Sequence, residues 1–225
     1  MLEPVAADLW TAEVPLRYLG IQVGRRTSVV RLATGALLVH SPAPLNEELR
    51  AELAELGDVR FVVPASDLHG HLGMEQYAVA YPRVELFAAP GLIAKRPDLT
   101  FAGELGADPD LRWAPDLDQT PLLGHRLHEF EFLHRSSRTL ITGDLCFNIG
   151  PNRPRLTRIF ANGPRVGRHL GPTLLFRSFV PDKHAARRSI ERILEWDFDR
   201  IIPGHGDVFE TGGHDAFRDA MTCLT

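Results

Sequence analysis

Apolar residues along the chain follow two spacings, one typical of strands and one typical of helices. Two β-rich runs at 27–32 and 37–40 surround a glycine-containing turn, which predicts a hairpin. From 45 to 56 the apolar residues recur at helical spacing. Asn46 can cap the first turn of this helix, and Gly57 can end it.

The alternation of strands and helices continues to the end of the chain. We predict a strand at 59–63, a helix at 74–81, a strand at 84–88, a hairpin of strands at 130–133 and 139–142, an amphipathic helix at 183–195, a strand beginning at 201 and a helix at 214–223. Residues 95–120 are rich in Pro, Gly and Asp, which predicts irregular surface structure. Hairpins separated by strand–helix units favour a layered α/β sandwich over a doubly wound sheet.

Composition and charge exclude several classes of protein. The 225 residues are 44% hydrophobic and 24% charged, which is typical of a globular chain. The net charge of −4 excludes a generally basic nucleic-acid binder, and two cysteines exclude a disulfide scaffold. The first residues contain no targeting signal, and no apolar run approaches the ~20 residues of a membrane helix. We therefore expect a soluble, cytoplasmic protein without a membrane partner.

One segment, 153–192, departs from this balance because it holds ten basic residues and only two acidic ones. Apolar residues lie between the arginines, which is typical of helices with a solvated charged face. The same composition fits a surface for an anionic ligand or a nucleic acid. Attachment to a membrane surface is a third interpretation.

Three short stretches place metal-ligating residue types directly after apolar strands. His69 and His71 alternate in an extended segment, so both rings can point the same way. Asp144 follows Gly143 at the end of the strand at 139–142, and His205 lies between two glycines after the last strand. Neutral imidazoles and carboxylates are ligands for zinc and iron. Each stretch alone also has an ordinary structural interpretation.

Together and in this order, the H-x-H loop, the Gly-Asp step and the P-G-H-G turn resemble the metallo-β-lactamase superfamily. The resemblance implies an αββα four-layer sandwich formed by a single domain over 1–225, with an Arg-rich helical insertion around 151–182. The stretches 89–99 and 132–141 are similar to a branch whose members carry a domain of unknown function. The usual H-x-H-x-D-H motif is degenerate here, because Gly73 and Met74 stand where its Asp and second-metal His would be.

The resemblance also implies which residues form the site. The implied metal ligands are His69, His71, His125, Asp144 and His205, and among them Asp144, His69 and His71 are the implied catalytic residues. His125 is chosen because Gly124-His125 lies at about the usual distance before Asp144. The alternative or supporting residues are Asp67, His128, His134 and Asp207. The early strand ends in His40 instead of the supporting Asp that is usual in the superfamily.

The leading functional hypothesis is a metal-dependent hydrolase in which a metal-activated water attacks an ester, lactone, thioester or phosphoester. The expected cofactor is zinc, as one or two ions, with manganese or iron as alternatives. The expected partner is a small-molecule substrate, and a nucleic acid is the less favoured partner. One alternative is a non-catalytic protein that binds an anionic ligand or partner through 153–192. Another is iron-dependent redox chemistry. The sequence does not indicate the substrate or the oligomeric state.

Overall fold

A computed structural model of the chain describes residues 1–162 and 170–224. The strands are β1 Glu3–Ala6, β2 Leu9–Val14, β3 Arg17–Tyr18, β4 Ile21–Gln22, β5 Arg25–Arg31, β6 Ala36–His40, β7 Asp58–Val63, β8 Glu85–Ala88, β9 Gly103–Glu104, β10 Leu117–Pro121, β11 Phe130–His134, β12 Thr139–Ile141, β13 Phe147–Asn148, β14 Leu170–Gly171, β15 Arg200–Ile202 and β16 His205–Gly206. The helices are α1 Glu47–Leu56, α2 Met74–Ala80, α3 Leu92–Lys95, α4 Arg155–Asn162, α5 Leu174–Ser178, α6 Lys183–Leu194 and α7 Gly213–Met221.

Two main sheets form the centre of the fold. The first has the strand order β1-β2-β5-β6-β7-β8-β9, and the second has the order β10-β11-β12-β15. Strands β13, β14 and β16 form a small third sheet beside them, and β3 pairs with β4. The first sheet begins with antiparallel pairs and becomes parallel from β6 onward, as expected once helical connections replace the hairpins.

Three apolar clusters define the layers. The first lies between the two main sheets, where Phe61 and Phe87 of the first sheet pack with Phe132 and Ile202 of the second. On the outer face of the first sheet, buried residues of α1, α2 and α3 form the second cluster. The third covers the outer face of the second sheet with residues of α6 and α7. The arrangement is therefore helix, sheet, sheet, helix, which is the predicted αββα sandwich.

The predicted elements are present with small shifts at their ends. Helix α1 begins after Asn46, whose side-chain oxygen accepts a hydrogen bond from the Leu49 N–H at 2.8 Å, and it ends at Gly57. The prediction of irregular structure over 95–120 is only partly correct, because β10 occupies 117–121 and pairs with β11 along its whole length. Gln119 of β10 is buried. Its side chain accepts a hydrogen bond from the Trp113 indole N–H and donates to the carbonyls of Gly106 and Asp108. Composition does not reveal such tertiary contacts.

The Arg-rich region contains α4 and α5 in its described part. Arg165, Arg168 and His169 lie outside the described residues. The division into one domain with an insertion at 151–182 stays a prediction. None of the helices in the described part of the chain combines the length and the apolar character required to cross a membrane.

Candidate metal centre

The strand register places Asp144 and His205 side by side. β12 and β15 are parallel neighbours, and Ile141 of β12 lies opposite Ile202 of β15. Asp144 comes three positions after Ile141, and His205 comes three positions after Ile202. The loops beyond the strands pack backbone against backbone, and the Gly204 N–H donates to the Gly143 carbonyl at 3.1 Å. A Cβ on Gly204 would lie 2.1 Å from that oxygen. Glycine is therefore required at 204 for the two loops to meet.

Three predicted ligands converge at this edge of the sheets. His69 Nε2 lies 3.0 Å from Asp144 Oδ1, and His205 Nε2 lies 2.9 Å from the same oxygen. One ligand atom from each residue lies within 4.8 Å of the others. The His69 and His205 rings meet edge to face, and Phe147 stacks on His205 with ring centroids 4.2 Å apart. Packing therefore holds the orientation of the His205 ring.

The hydrogen bonds of His205 indicate a cation at this position. Its Nδ1 lies 2.5 Å from the Gly24 carbonyl oxygen, and since a carbonyl only accepts, Nδ1 must carry a proton. Its Nε2 faces a carboxylate oxygen, which also only accepts. The ring is therefore either a doubly protonated imidazolium or a neutral ligand whose Nε2 lone pair binds a metal ion. A backbone carbonyl on the far nitrogen is the usual support for a ligating histidine.

Unpartnered atoms around Asp144 fit the same interpretation. Asp144 Oδ2 and His69 Nδ1 are buried and have no hydrogen-bond partner. Burial alone raises the pKa of Asp144, but His69 and His205 outweigh it and hold the pKa well below its usual value. A buried, ionised carboxylate with a free oxygen and two adjacent imidazoles suits a divalent metal ion. The residues present therefore fit a divalent metal ion.

Two buried acids that the sequence analysis missed lie behind the Asp144 loop. Glu129 Oε1 accepts from the backbone N–H of Gly143 at 3.0 Å and of Leu145 at 2.8 Å. The carboxyl group of Glu129 thus fixes the backbone on both sides of Asp144. Glu131 follows two positions later in β11, and both side chains are fully buried. Acidic residues alternating with Phe in an otherwise apolar strand were the signal that could have revealed them.

Burial and mutual proximity keep a proton on this acidic pair. Burial is the main cause that raises the pKa of Glu131 to about 8. The pKa of Glu129 is raised well above its usual value by burial, by Glu131 and by Asp144. Two adjacent buried carboxyl groups resist ionising together. The loop that presents Asp144 therefore rests on two acids that resist ionising together.

His71 does not join the three converging residues. It is buried with an unpartnered Nδ1, and burial together with Lys95 and Arg96 lowers its pKa to about 4. Its role as a ligand stays a prediction.

His125 is also outside the group of converging atoms. Its ring stacks on Phe176 at 4.0 Å, and its Nδ1 accepts from the Leu127 N–H at 3.3 Å. A neutral ring that accepts at Nδ1 carries its proton on Nε2, so ligation through Nε2 requires a change of tautomer. Burial lowers the pKa of His125 to about 4, which keeps the ring neutral at pH 7.

None of the four alternative residues is among the converging ligands, and His134 lies at the opposite end of β12 from Asp144. His128 Nδ1 lies 3.3 Å from Asp67 Oδ2, and His128 is the more exposed of the two. His134 lies at the β11–β12 turn, where its Nδ1 is 2.7 Å from Ser137 Oγ. Asp207 pairs with Arg153, which also bonds to Glu13. None of the four belongs to a three-residue metal group among the described residues.

The degenerate half of the motif has a structural explanation. Gly73 packs against the chain after β6, and a Cβ built there would lie 2.5 Å from the Pro42 carbonyl oxygen and 2.9 Å from that of Ala43. The buried Arg25 guanidinium bonds to the Ser41 and Pro42 carbonyls and holds this backbone in place. An aspartate at 73 therefore has no room for its first side-chain carbon, and Met74 is buried in the core.

Comparison with known proteins supports the fold independently. No family model matches the chain, and no curated protein matches it in sequence. Among solved structures, a metallo-β-lactamase from Pontibacter korlensis is similar over 100% of this chain and 98% of its own, with a TM-score of 0.70 and 14% identity. The DIM-1 metallo-β-lactamase exposed to ceftazidime is similar over 100% of this chain and 97% of its own, with a TM-score of 0.69 and 14% identity. The metal-soaked Flv1 flavodiiron core from Synechocystis is similar over 100% of this chain and 60% of its own, with a TM-score of 0.69 and 11% identity.

These similarities agree with the helix–sheet–sheet–helix layers and define the fold of the protein. The chain has the metallo-β-lactamase fold over its full length. At such low identity the similarity concerns the fold alone. The chemistry has to be argued from the chain's own residues.

Proposed function

We propose that the protein is a metal-dependent hydrolase that holds one divalent ion with His69, Asp144 and His205. The observation that carries the proposal is the pair of Nε2 atoms within 3.0 Å of one buried carboxylate oxygen. Three protein ligands leave coordination positions open for water and substrate, as catalytic zinc sites do. The position of Gly73 against Pro42 argues for one ion instead of two.

A bound divalent ion would supply a Lewis acid that polarises a substrate carbonyl and lowers the pKa of water towards about 7. The other parts of the mechanism belong to the chain itself. Asp144 compensates positive charge in a buried setting, and Glu129 holds its loop through two backbone N–H groups. Gly24 and Phe147 fix the position and plane of the His205 ring. Preorganised groups of this kind reduce the reorganisation required during reaction.

Zinc is the proposed metal because two histidines and one carboxylate form a familiar catalytic zinc set. The same donor set suits iron(II), and manganese also accepts carboxylate ligands. Iron-dependent redox chemistry is the second candidate function, favoured by this donor set and by the fold shared with the flavodiiron core. Elemental analysis separates the two because a redox function requires bound iron.

His71 and His125 remain proposed additional ligands. Each is buried and has one ring nitrogen without a partner. Metal binding by the His71→Ala and His125→Ala variants tests their participation. Unchanged affinity in both would limit the site to three ligands.

The alternative of an anionic-ligand surface at 153–192 has less support. Arg153 is engaged by Glu13 and Asp207, and two other arginines in this segment pair with acids. Arg187 pairs with Glu191, and Arg192 pairs with Asp108. Ion pairs with the chain's own acids reduce the positive charge available to a ligand. Binding of such a ligand without turnover remains the outcome that would favour this alternative.

The test is hydrolysis of a panel of p-nitrophenyl esters by protein reconstituted with zinc, compared with Asp144→Asn and with the exposed-site control His184→Ala. Asp144→Asn keeps the size of the side chain and removes its charge. We expect at least a hundredfold loss of kcat/KM in Asp144→Asn and no change in His184→Ala. Equal hydrolysis by the wild type and Asp144→Asn would refute the proposal.

A further inference from the structure

The loop that carries His205 is held by a strand from the far end of the sequence. Strand β5 belongs to the first sheet, and its residue Arg26 contacts the P-G-H-G turn from 180 positions away in the chain. The Arg26 backbone N–H donates to the Gly204 carbonyl at 2.8 Å. The Arg26 side chain donates through Nε to the Gly206 carbonyl at 2.5 Å. One residue therefore bonds to a carbonyl on each side of His205.

Contacts on the other side of the turn leave it little freedom. Asn148 of β13 pairs with Gly206, and a Cβ on Gly206 would lie 2.1 Å from the Asn148 carbonyl oxygen. The Gly24 carbonyl, two residues before Arg26, accepts the proton on His205 Nδ1. The Gly24 carbonyl thus orients the His205 ring, and Arg26 holds the backbone from which this ring projects.

The Arg26 guanidinium is poorly suited to a role in stability alone. Arg26 is buried, and its Nη1 has no hydrogen-bond partner among the described residues. A buried charge loses its hydration, and an unsatisfied donor adds to that cost. Replacing such a charge by an apolar side chain of similar size is often neutral for stability. The directed bond to the Gly206 carbonyl is therefore what distinguishes Arg26 from an apolar residue of its length.

We propose that Arg26 is a positioning residue of the metal centre, whose Nε–H bond to Gly206 holds His205 Nε2 beside Asp144. The inference rests on the metal site of the proposed function and deepens it. The charge of Arg26 acts in the opposite direction, because a nearby cation repels a divalent metal ion. Loss of the charge alone should tighten metal binding, whereas loss of the bond should weaken it. The sign of the change therefore separates positioning from electrostatics.

Two variants of similar length isolate the bond. In Arg26→Gln the amide nitrogen lies as many bonds from the backbone as Nε does, so the variant keeps a donor and loses the charge. Arg26→Met loses both. Competition with a chromophoric chelator measures the zinc affinity of each full-length chain. We expect Arg26→Met to bind about tenfold more weakly than the wild type, and Arg26→Gln to bind within about threefold of it or more tightly. Equal affinities in the two variants, or tighter binding by Arg26→Met, would overturn the proposal.

Gln119→Leu is the matched control for a general loss of stability. The Gln119 side chain is buried and also donates to backbone carbonyls, those of Gly106 and Asp108, which lie outside the three ligand loops. Gln119→Leu should lose stability in urea unfolding and keep the zinc affinity of the wild type. Equal weakening in Gln119→Leu and Arg26→Met would refute a specific role for Arg26.

Arg26→Lys provides a second comparison that remains useful if Arg26→Met does not fold. The lysine keeps the charge but places its nitrogen one atom further from the backbone than Nε. The bond to Gly206 and the relief of repulsion are then both missing. Arg26→Lys should therefore bind zinc more weakly than Arg26→Gln, and equal or tighter binding would contradict the proposal.

An NMR measurement on the metal-free chain separates this inference from the proposed function. The proton on His205 Nδ1, identified by its loss in His205→Gln, is bonded to the Gly24 carbonyl and should exchange slowly with water. Its exchange should be about tenfold faster in Arg26→Met and unchanged in Arg26→Gln. This result would support the positioning role even if the wild type hydrolysed no ester, in which case the hydrolase proposal alone would fail. Unchanged exchange in a folded Arg26→Met variant would overturn the inference and leave metal-dependent hydrolysis standing.

Discussion

Restoring the missing aspartate of the motif should weaken the fold and should not create a second metal site. In Gly73→Asp the new Cβ would lie 2.5 Å from the Pro42 carbonyl oxygen, closer than real Cβ atoms approach backbone oxygens. The conflict occurs at the first side-chain carbon, so Gly73→Ala should show it equally. The chemistry of the carboxylate is therefore secondary to the space that it needs.

The magnitude follows from two opposed effects. Gly73 has φ −90° and ψ −9°, a conformation open to any residue, so replacing glycine here would by itself stabilise the chain by about 0.4–1 kcal/mol. Forcing extra atoms into a packed region costs about 1–3 kcal/mol. The steric cost is the larger effect. We expect a net loss of about 1–2 kcal/mol in the free energy of unfolding for both variants.

Urea unfolding of the metal-free protein, followed by circular dichroism, measures this loss. Gly106→Ala is the matched control, because its Cβ would have no neighbour closer than 3.7 Å. The control should change by less than about 0.5 kcal/mol. The steric explanation would be wrong if Gly73→Ala were as stable as the wild type. It would also be wrong if Gly73→Asp bound a second equivalent of zinc without loss of stability.

Three further predictions address the support of the site. Glu129→Ala leaves two buried N–H groups unpaired and should cost about 1–3 kcal/mol for each in urea unfolding, whereas Glu129→Gln keeps an acceptor oxygen and should cost clearly less. Burial and the charge of Arg25 lower the pKa of His40 in the folded state to about 3. Below about pH 6.5 the unfolded chain therefore binds more protons than the folded chain. The folded state loses stability as the pH falls towards 3. His40→Phe should reduce the dependence of the free energy of unfolding on pH by up to about 1.4 kcal/mol per pH unit. The measurement compares urea unfolding of the metal-free protein at pH 6 and pH 4. An identical dependence in both proteins would refute burial of a neutral ring. Arg153→Ala should cost about 1 kcal/mol because its half-buried guanidinium joins Glu13 to Asp207, whereas the exposed Arg187→Ala should cost less than about 0.5 kcal/mol in the same assay.

Much of the fold could be predicted because local signals and tertiary structure agree. Helix α1 has a helical period, a capping Asn46 and a terminating Gly57, and each contributes as expected. Strand β10 was missed because its strand character depends on pairing with β11 and on the burial of Gln119 by Trp113. Such contacts join residues whose sequence neighbourhood resembles a loop. Composition therefore predicts the exposed parts of 95–120 but not its last strand.

The candidate site was predictable to the level of loops but not of side chains. Strand ends followed by H-x-H, Gly-Asp and P-G-H-G identify the three loops, and glycines at 143 and 204 permit their close packing. Which rings converge depends on tertiary contacts, such as the Gly24 carbonyl for His205 and the stacking of Phe176 for His125. No pattern in the neighbouring sequence indicates either contact. The buried Glu129 could have been found from the sequence, because acids and phenylalanines alternate there.

The most direct test of the central claim is the metal content per chain, determined by elemental analysis of protein purified without a metal-affinity tag. His69→Ala is measured in parallel. The wild type should contain about one equivalent of a divalent metal, zinc if the hydrolase proposal is correct, and the variant should lose it. No bound metal after reconstitution, or retention of the metal in His69→Ala, would contradict the site. Two equivalents in the wild type would contradict its single-ion character.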